Sequence, residues 1–137
     1  MKRVFLDTNI LLDVTMRREE FLSDSARVWA DCEKGKVLGF ISAISLNNIH
    51  YIMRKRTTQA AVLGYIRYIM NLYTVIPLDA SVLRMAVDFP HRDFEDAIQL
   101  FSALQAKADC IVTRDQSHFP TDYLPILTPA EYRGIVQ

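Results

Sequence analysis

Cysteine is scarce in this chain. The only two, Cys32 and Cys110, stand far apart and lack the paired spacing of a metal or redox site. Both read as buried, reduced thiols. Glycine (4) and proline (5) are also few, and no linker, repeat or low-complexity segment interrupts the sequence. Net charge is absent: 16 basic residues balance 16 acidic ones. Global charge therefore supplies neither a strong nucleic-acid field nor a membrane-surface attraction, and any nucleic-acid contact must come from a local patch. No apolar run reaches membrane-spanning length, and the first residues lack a signal-peptide pattern, so a soluble, cytoplasmic protein is expected. What is present is ordinary: half the residues are apolar and 23% are charged. At 137 residues the chain fits a single domain, residues 1–137, with a proper core.

The stretch RVFLDTNILL organises the rest. Val4, Phe5 and Leu6 form a short apolar run ended by the polar triplet Asp7, Thr8 and Asn9, as in a strand buried on both faces of a parallel sheet. Asp7 then ends the first strand, where open α/β sheets place their chemistry. Thr8 or Asn9 can cap the following helix, which runs to about Met16; alternatively Asp7 is itself only a helix cap. Arg17 to Glu20 reads as a charged break, and a second helix is expected from Ser23 or Asp24 to Lys34, with Gly35 as its stop. Val37 to Ile41 is the second strand. Ser42 or Ser45 starts a third helix, through Leu46, Ile49, Ile52 and Met53. Thr57 or Thr58 caps a fourth, Gln59 to Leu72. Tyr73 to Leu78 is the third strand, and Asp79 or Ser81 caps the next helix. Phe89 to Arg92 is a loop with His91 exposed; Asp93 caps an apolar helix beginning DFEDAIQLF. Cys110 to Val112 is the fourth strand and Leu124 to Leu127 the last, before a helix capped by Thr128 and started by Pro129. Strands alternating with helices predict a parallel sheet covered on both faces.

Three acidic spots share one kind of position. Asp7 ends strand one, Asp115 follows strand four, and Glu95 and Asp96 open the helix leading into strand four. If strands one and four are neighbours, all of them lie on one sheet edge. Two carboxylates about 4 Å apart repel by about 4 kcal/mol at an effective dielectric near 20, so such a group needs a proton, a basic partner or a cation. Oxygen donors without His or Cys favour Mg²⁺ or Mn²⁺, and a water bound to such an ion can attack a phosphodiester.

These residues resemble the PIN-domain ribonucleases, a family that includes VapC-type toxins. LDTNILLD resembles the family's N-terminal signature, through Asp7, Thr8 and Asn9. FEDAIQLFSAL is similar to its central acidic signature, through Asp96 with Glu95 beside it; IVTRD followed by Phe119 is similar to the last, through Thr113 and Asp115. LTPAEY, ending at Tyr132, resembles one branch. The resemblance implies a three-layer α/β/α sandwich with a central parallel sheet of order 3-2-1-4-5. It implies a Mg²⁺- or Mn²⁺-dependent endoribonuclease acting on single-stranded RNA, frequent homodimers and, for a toxin, an antitoxin that covers the site. In this chain Asp7, Asp96 and Asp115 would hold the metal, with Glu95 contributing. Thr8, Asn9, Asn48 and Thr113 would orient them. Arg54, Lys55, Arg56 and Arg114 are candidate phosphate contacts. Many members carry a glutamate in the helix after strand two, where this chain has Asn48, or Asn47 beside it, so Glu95 is the candidate to supply the missing charge. The alternative function is a PIN-fold module that binds RNA or protein and cuts poorly. A dehalogenase-type phosphatase would need a second Asp where Asn9 stands, and a receiver domain would need an early acidic pair and a late Lys; neither pattern is evident.

Overall fold

Val4, Phe5 and Leu6 have no exposed surface, as a strand covered on both faces requires. They lie in β1 (Arg3–Leu6), the middle strand of a five-stranded parallel sheet. The computed structural model describes residues 1–90 and 93–136, with only the backbone described for 134–136. The expected loop position of His91 falls outside the described residues. After β1 come α1 (Thr8–Thr15), α2 (Glu19–Glu33), β2 (Leu38–Ser42), α3 (Ala43–Met53), α4 (Gln59–Leu72), β3 (Thr74–Ile76) and α5 (Ala80–Asp88). Then follow α6 (Phe94–Gln105), β4 (Cys110–Val112), a 3₁₀ turn (Gln116–His118), β5 (Ile126–Leu127) and α7 (Pro129–Val136). The sheet order is β3-β2-β1-β4-β5, every pairing parallel.

Strand alternation sorts the core into two layers. Val4, Leu6 and Val112 face a cluster that includes Leu11 of α1, Val28 of α2, Ile49 of α3, Ile69 of α4 and Tyr132 of α7. Phe5, Phe40 and Ile111 face the other way, onto Leu100 and Ala103 of α6. Helix α5 packs on α6 through Val82 and Ala86 against Ala97 and Ile98. Among the described residues no helix is long and apolar enough to cross a membrane.

Local chemistry sets the element ends. Asp7, not Thr8 or Asn9, caps α1, accepting from the Thr8 N–H. Helix α2 starts at Glu19 rather than Ser23. The charged quartet is only half a break: Arg17, at φ +50°, makes the turn, while Glu19 and Glu20 are favourable first-turn charges. That helix ends in a Schellman motif. Gly35, at φ +71°, donates to Cys32 O at 3.2 Å and Lys36 N donates to Asp31 O at 2.9 Å. Ser42, Thr58, Asp79 and Asp93 cap α3, α4, α5 and α6. Strand β2 runs one residue later than expected, from Leu38 to Ser42. Strand β3 keeps only Thr74–Ile76, because Tyr73 closes α4 and Pro77 has no N–H for the ladder. Strand β5 likewise shrinks to Ile126–Leu127. Gly39 is needed on β2, since a Cβ there would stand 2.5 Å from the Tyr73 ring and 2.8 Å from Cys32 Sγ.

Candidate active site

Strand order reverses between β1 and β4, and open α/β sheets bind their ligands at that crevice. The register pairs Leu6 with Val112, so Asp7 and Thr113 emerge side by side. The Asp7 N–H donates to Val112 O at 3.0 Å. One carboxylate oxygen of Asp7 accepts from the Thr8 N–H at 2.7 Å and the other from Thr113 Oγ1 at 2.8 Å. Thr113 Oγ1 accepts in turn from the Asp115 N–H at 3.0 Å. Asn9 Nδ2 completes the circuit, donating to Asp115 Oδ2 at 2.9 Å. Asp7 is only 8% exposed. Burial raises its carboxyl above the usual range; the Thr113 and Thr8 hydrogen bonds oppose this, and the Asp115 charge adds to it.

Helix α6 runs antiparallel to the strands, so its first turn opens onto the same edge. Asp93 accepts from the Asp96 N–H at 3.1 Å. Asp96 Oδ2 lies 3.5 Å from His118 Nδ1, on the turn just after Asp115. Glu95 is raised by desolvation first and then by the charges of Asp7 and Asp93, so it too belongs to the acidic edge. Asn48 Nδ2 donates to Glu95 Oε1 at 2.5 Å. Asn48 is therefore the helix residue that faces the acids, and its neighbour Asn47 is exposed. Asn48 gives Glu95 an N–H, as a residue that orients the acids would.

The sequence profile of the PIN domain matches residues 3–117, which contain all of these groups except His118, the next residue along. The chain belongs to the PIN-domain family. Among solved structures the PIN domain is similar to VapBC2 from Rickettsia felis bound to a DNA fragment from its promoter (14% identity, TM-score 0.67, 92% of this chain and 98% of that one). It is similar to a toxin–antitoxin complex from Klebsiella pneumoniae (19%, 0.68, 92% and 97%). It is also similar to VapC20 of Mycobacterium tuberculosis, a toxin that cleaves the sarcin–ricin loop (15%, 0.63, 87% and 91%). At these identities the likeness is one of fold. Among curated proteins the chain has no significant match.

Beneath the acids of this PIN domain lies a polar layer that sequence reasoning did not find. Thr8 Oγ1 and Ser45 Oγ are 2.6 Å apart, and Gln99 Nε2 donates to both, at 3.0 and 3.2 Å. Ser45 has no exposed surface and Gln99 only 1%. The one signal available was a glutamine on the apolar face of α6, three residues after Asp96. His118 also went unnoticed, because the 3₁₀ turn that carries it has no periodic signature.

The expected phosphate contacts have other partners in the structure. Arg54, Lys55 and Arg56 follow the far end of α3, and Arg54 stands six residues, about 9 Å of helix rise, beyond the Asn48 that meets Glu95. There Arg54 and Lys55 cover the Tyr51 ring, 4.5 and 4.7 Å from its centroid. Arg114 is next to Asp115 in sequence, but its Nε donates to Asp13 Oδ2 at 2.9 Å and its guanidinium lies over Phe21. Its charge is paired with the buried Asp13, and the side chain is partly exposed.

The donor set suits a hard cation. Asp7, Asp96, Asp115 and Glu95 offer carboxylate oxygens, and the buried Asn9 Oδ1 has no hydrogen-bond partner on the very amide that holds Asp115. Among the described residues, no three Asp, Glu, His or Cys side chains stand so that they could together hold a metal ion. Mg²⁺ does not demand three, because it keeps several waters and is held by one or two carboxylates.

Proposed function

We propose that this PIN domain, residues 1–137 acting as one unit, is a Mg²⁺- or Mn²⁺-dependent endoribonuclease that hydrolyses single-stranded RNA. The observation that carries the reading is the Asp7–Thr113–Asp115–Asn9 circuit at the β1/β4 crevice, with Asp7 buried and its carboxyl raised. Structural groups rarely keep carboxylates so placed without a countercharge. Asp7, Asp96 and Asp115 would hold the ion, with Glu95 beside them. The bound ion would supply an activated water and stabilise charge on the phosphate. The chain's own residues do the positioning. Thr113 fixes both strand-end acids, Asn9 aims Asp115, His118 stands against Asp96, and Asn48 holds Glu95. The Thr8–Ser45–Gln99 layer locks the starts of α1 and α3 to α6 beneath them.

Two structural neighbours are toxin–antitoxin complexes or their promoter-bound form, which supports a toxin role with a cognate antitoxin as partner; a homodimer as the working state belongs to the same proposal. The test is Asp7→Asn. Cleavage of single-stranded RNA in Mn²⁺ should drop to background, and any growth arrest on expression should vanish. Full retained activity would remove the assignment. A second reading, an RNA- or protein-binding PIN module that cuts poorly, is favoured by Asn48, which donates to Glu95 where the family resemblance has an acid. Calorimetry with Mn²⁺ separates the two, since a pure binder need take up no cation at this edge.

A further inference from the structure

Arg114 stands between the two loop residues that lace the acids together, yet its side chain runs elsewhere. It meets Asp13, which has no exposed surface at all. Asp13 Oδ2 accepts from Arg114 Nε at 2.9 Å and from Ser25 Oγ at 2.8 Å, and its other oxygen lies 3.5 Å from Arg18 Nη1. The Arg114 guanidinium also lies 3.8 Å above the Phe21 ring. One buried carboxylate thus gathers the loop after β4, the corner before α2, and α2 itself. Such a group is a poor way to gain stability, because well-packed apolar side chains of equal volume often do as well or better. Its value lies in specifying one arrangement.

Three consecutive loop residues each bond to the first strand-to-helix segment. Thr113 donates to Asp7, Arg114 donates to Asp13, and Asp115 accepts from Asn9. The outer two grip the start of α1 at the acidic edge; Arg114 grips the same helix from four residues further on. We propose that the Asp13–Arg114 pair is a positioning device that sets the register of this loop on α1 and so aims the Asp115 carboxylate at the cation site. Arg114 is a positioning residue, acting through Asp115 and touching neither metal nor RNA. The inference rests on the reading of Asp115 as a cation ligand.

The test uses the whole chain with Arg114→Lys, which keeps the charge and loses the guanidinium fork, and Asp13→Asn, which keeps the shape and loses the charge. In the metal-free protein, the Asp115 N–H should lose hydrogen-exchange protection in both variants, while the Asp7 N–H keeps its own. Unchanged exchange at Asp115, or equal acceleration at both amides, makes the pair a stability element only and overturns the proposal. In calorimetry with Mn²⁺, Arg114→Lys should weaken binding about tenfold or more. On an Asp115→Asn background the same change should add nothing, because the two residues act as one unit. Full additivity, or no loss in the single variant, overturns it. If the natural chain takes up no Mn²⁺, the nuclease reading falls, and the exchange comparison alone decides the positioning claim.

Discussion

Asp7 carries two duties that pull its carboxyl in opposite directions. As the cap of α1 it needs a negative oxygen for the Thr8 N–H, and as a buried group beside Asp115 it is pushed toward its protonated form. Burial wins, and Glu95 moves the same way for the same leading reason. When the folded-state carboxyl lies above its unfolded value, its stabilising contribution is complete below the unfolded value and is lost as pH rises through the folded one. Metal-free protein should therefore lose stability from these groups as pH rises above the ordinary carboxylate range, about 4, and through their raised folded-state values. Asp7→Asn removes part of that slope and should gain on the order of 1 kcal/mol at neutral pH, in the way functional sites trade stability for activity. Urea denaturation at several pH values checks this; identical slopes for the two proteins would contradict it. Saturating Mn²⁺ should reverse the ranking, since only a state that binds the ion gains from it. Asn48 offers the complementary experiment. Asn48→Glu replaces the N–H given to Glu95 with a like charge, so the metal-free protein should lose on the order of 1–2 kcal/mol while Mn²⁺ binds more tightly. Glu95→Gln should weaken Mn²⁺ binding, and an unchanged affinity would show that Glu95 does not make good the missing glutamate.

At the scale of elements, the parts written locally in the sequence were legible. Asp93, the start of α6 and the end of β1 follow from caps and apolar runs, and α4 spans the expected Gln59–Leu72. The last helix is a case in point. Thr128 Oγ1 accepts from the Glu131 N–H at 3.2 Å, and Glu131 Oε1 accepts from the Thr128 N–H at 3.0 Å, a reciprocal capping box written as T-P-A-E. Those bonds hold the Glu131 carboxyl below its usual range, the Thr128 backbone N–H foremost. The box seats Tyr132, fully buried, with its hydroxyl donating to Asp31 at 2.8 Å. Thr128→Ala should cost about 1 kcal/mol, read as a lower midpoint in thermal unfolding. What was not legible depends on contacts between distant segments. Nothing local to TRD says that Arg114 turns to Asp13 on α1 while its two neighbours face the acids. Nothing in the α6 periodicity says that Gln99 is buried to serve Thr8 and Ser45 rather than exposed. Strand lengths failed for a related reason: a β-ladder ends where its partner ends, and a single strand's sequence does not contain its partner.

The whole molecule separates its charges. With no net charge, it has no overall attraction for RNA, and the groups near the proposed chemistry are mostly acidic. Parallel topology explains the layout. Every helix that follows a strand starts at the carboxyl edge and ends at the other, so α3 begins beside the acids and delivers Arg54, Lys55 and Arg56 to the opposite end. If the proposed RNA cleavage takes place at the acids, these residues lie at the other end of α3 from the start of that helix, where a longer RNA leaving the crevice along α3 can reach them. Alanine at all three positions should therefore leave cleavage of a trinucleotide unchanged while weakening the binding of a long single strand. The salt dependence should register the same interactions. The slope of log affinity against log salt for the long strand should flatten by about 0.7 for each phosphate no longer neutralised, or about 2 if each cation meets one. Binding titrations of the long RNA at several salt concentrations, paired with trinucleotide kinetics, measure both. Equal losses on the two substrates would place the basic cluster at the reacting phosphate, against the topology. No loss on either would leave the cluster to its packing on Tyr51 and give the RNA a different path across the surface.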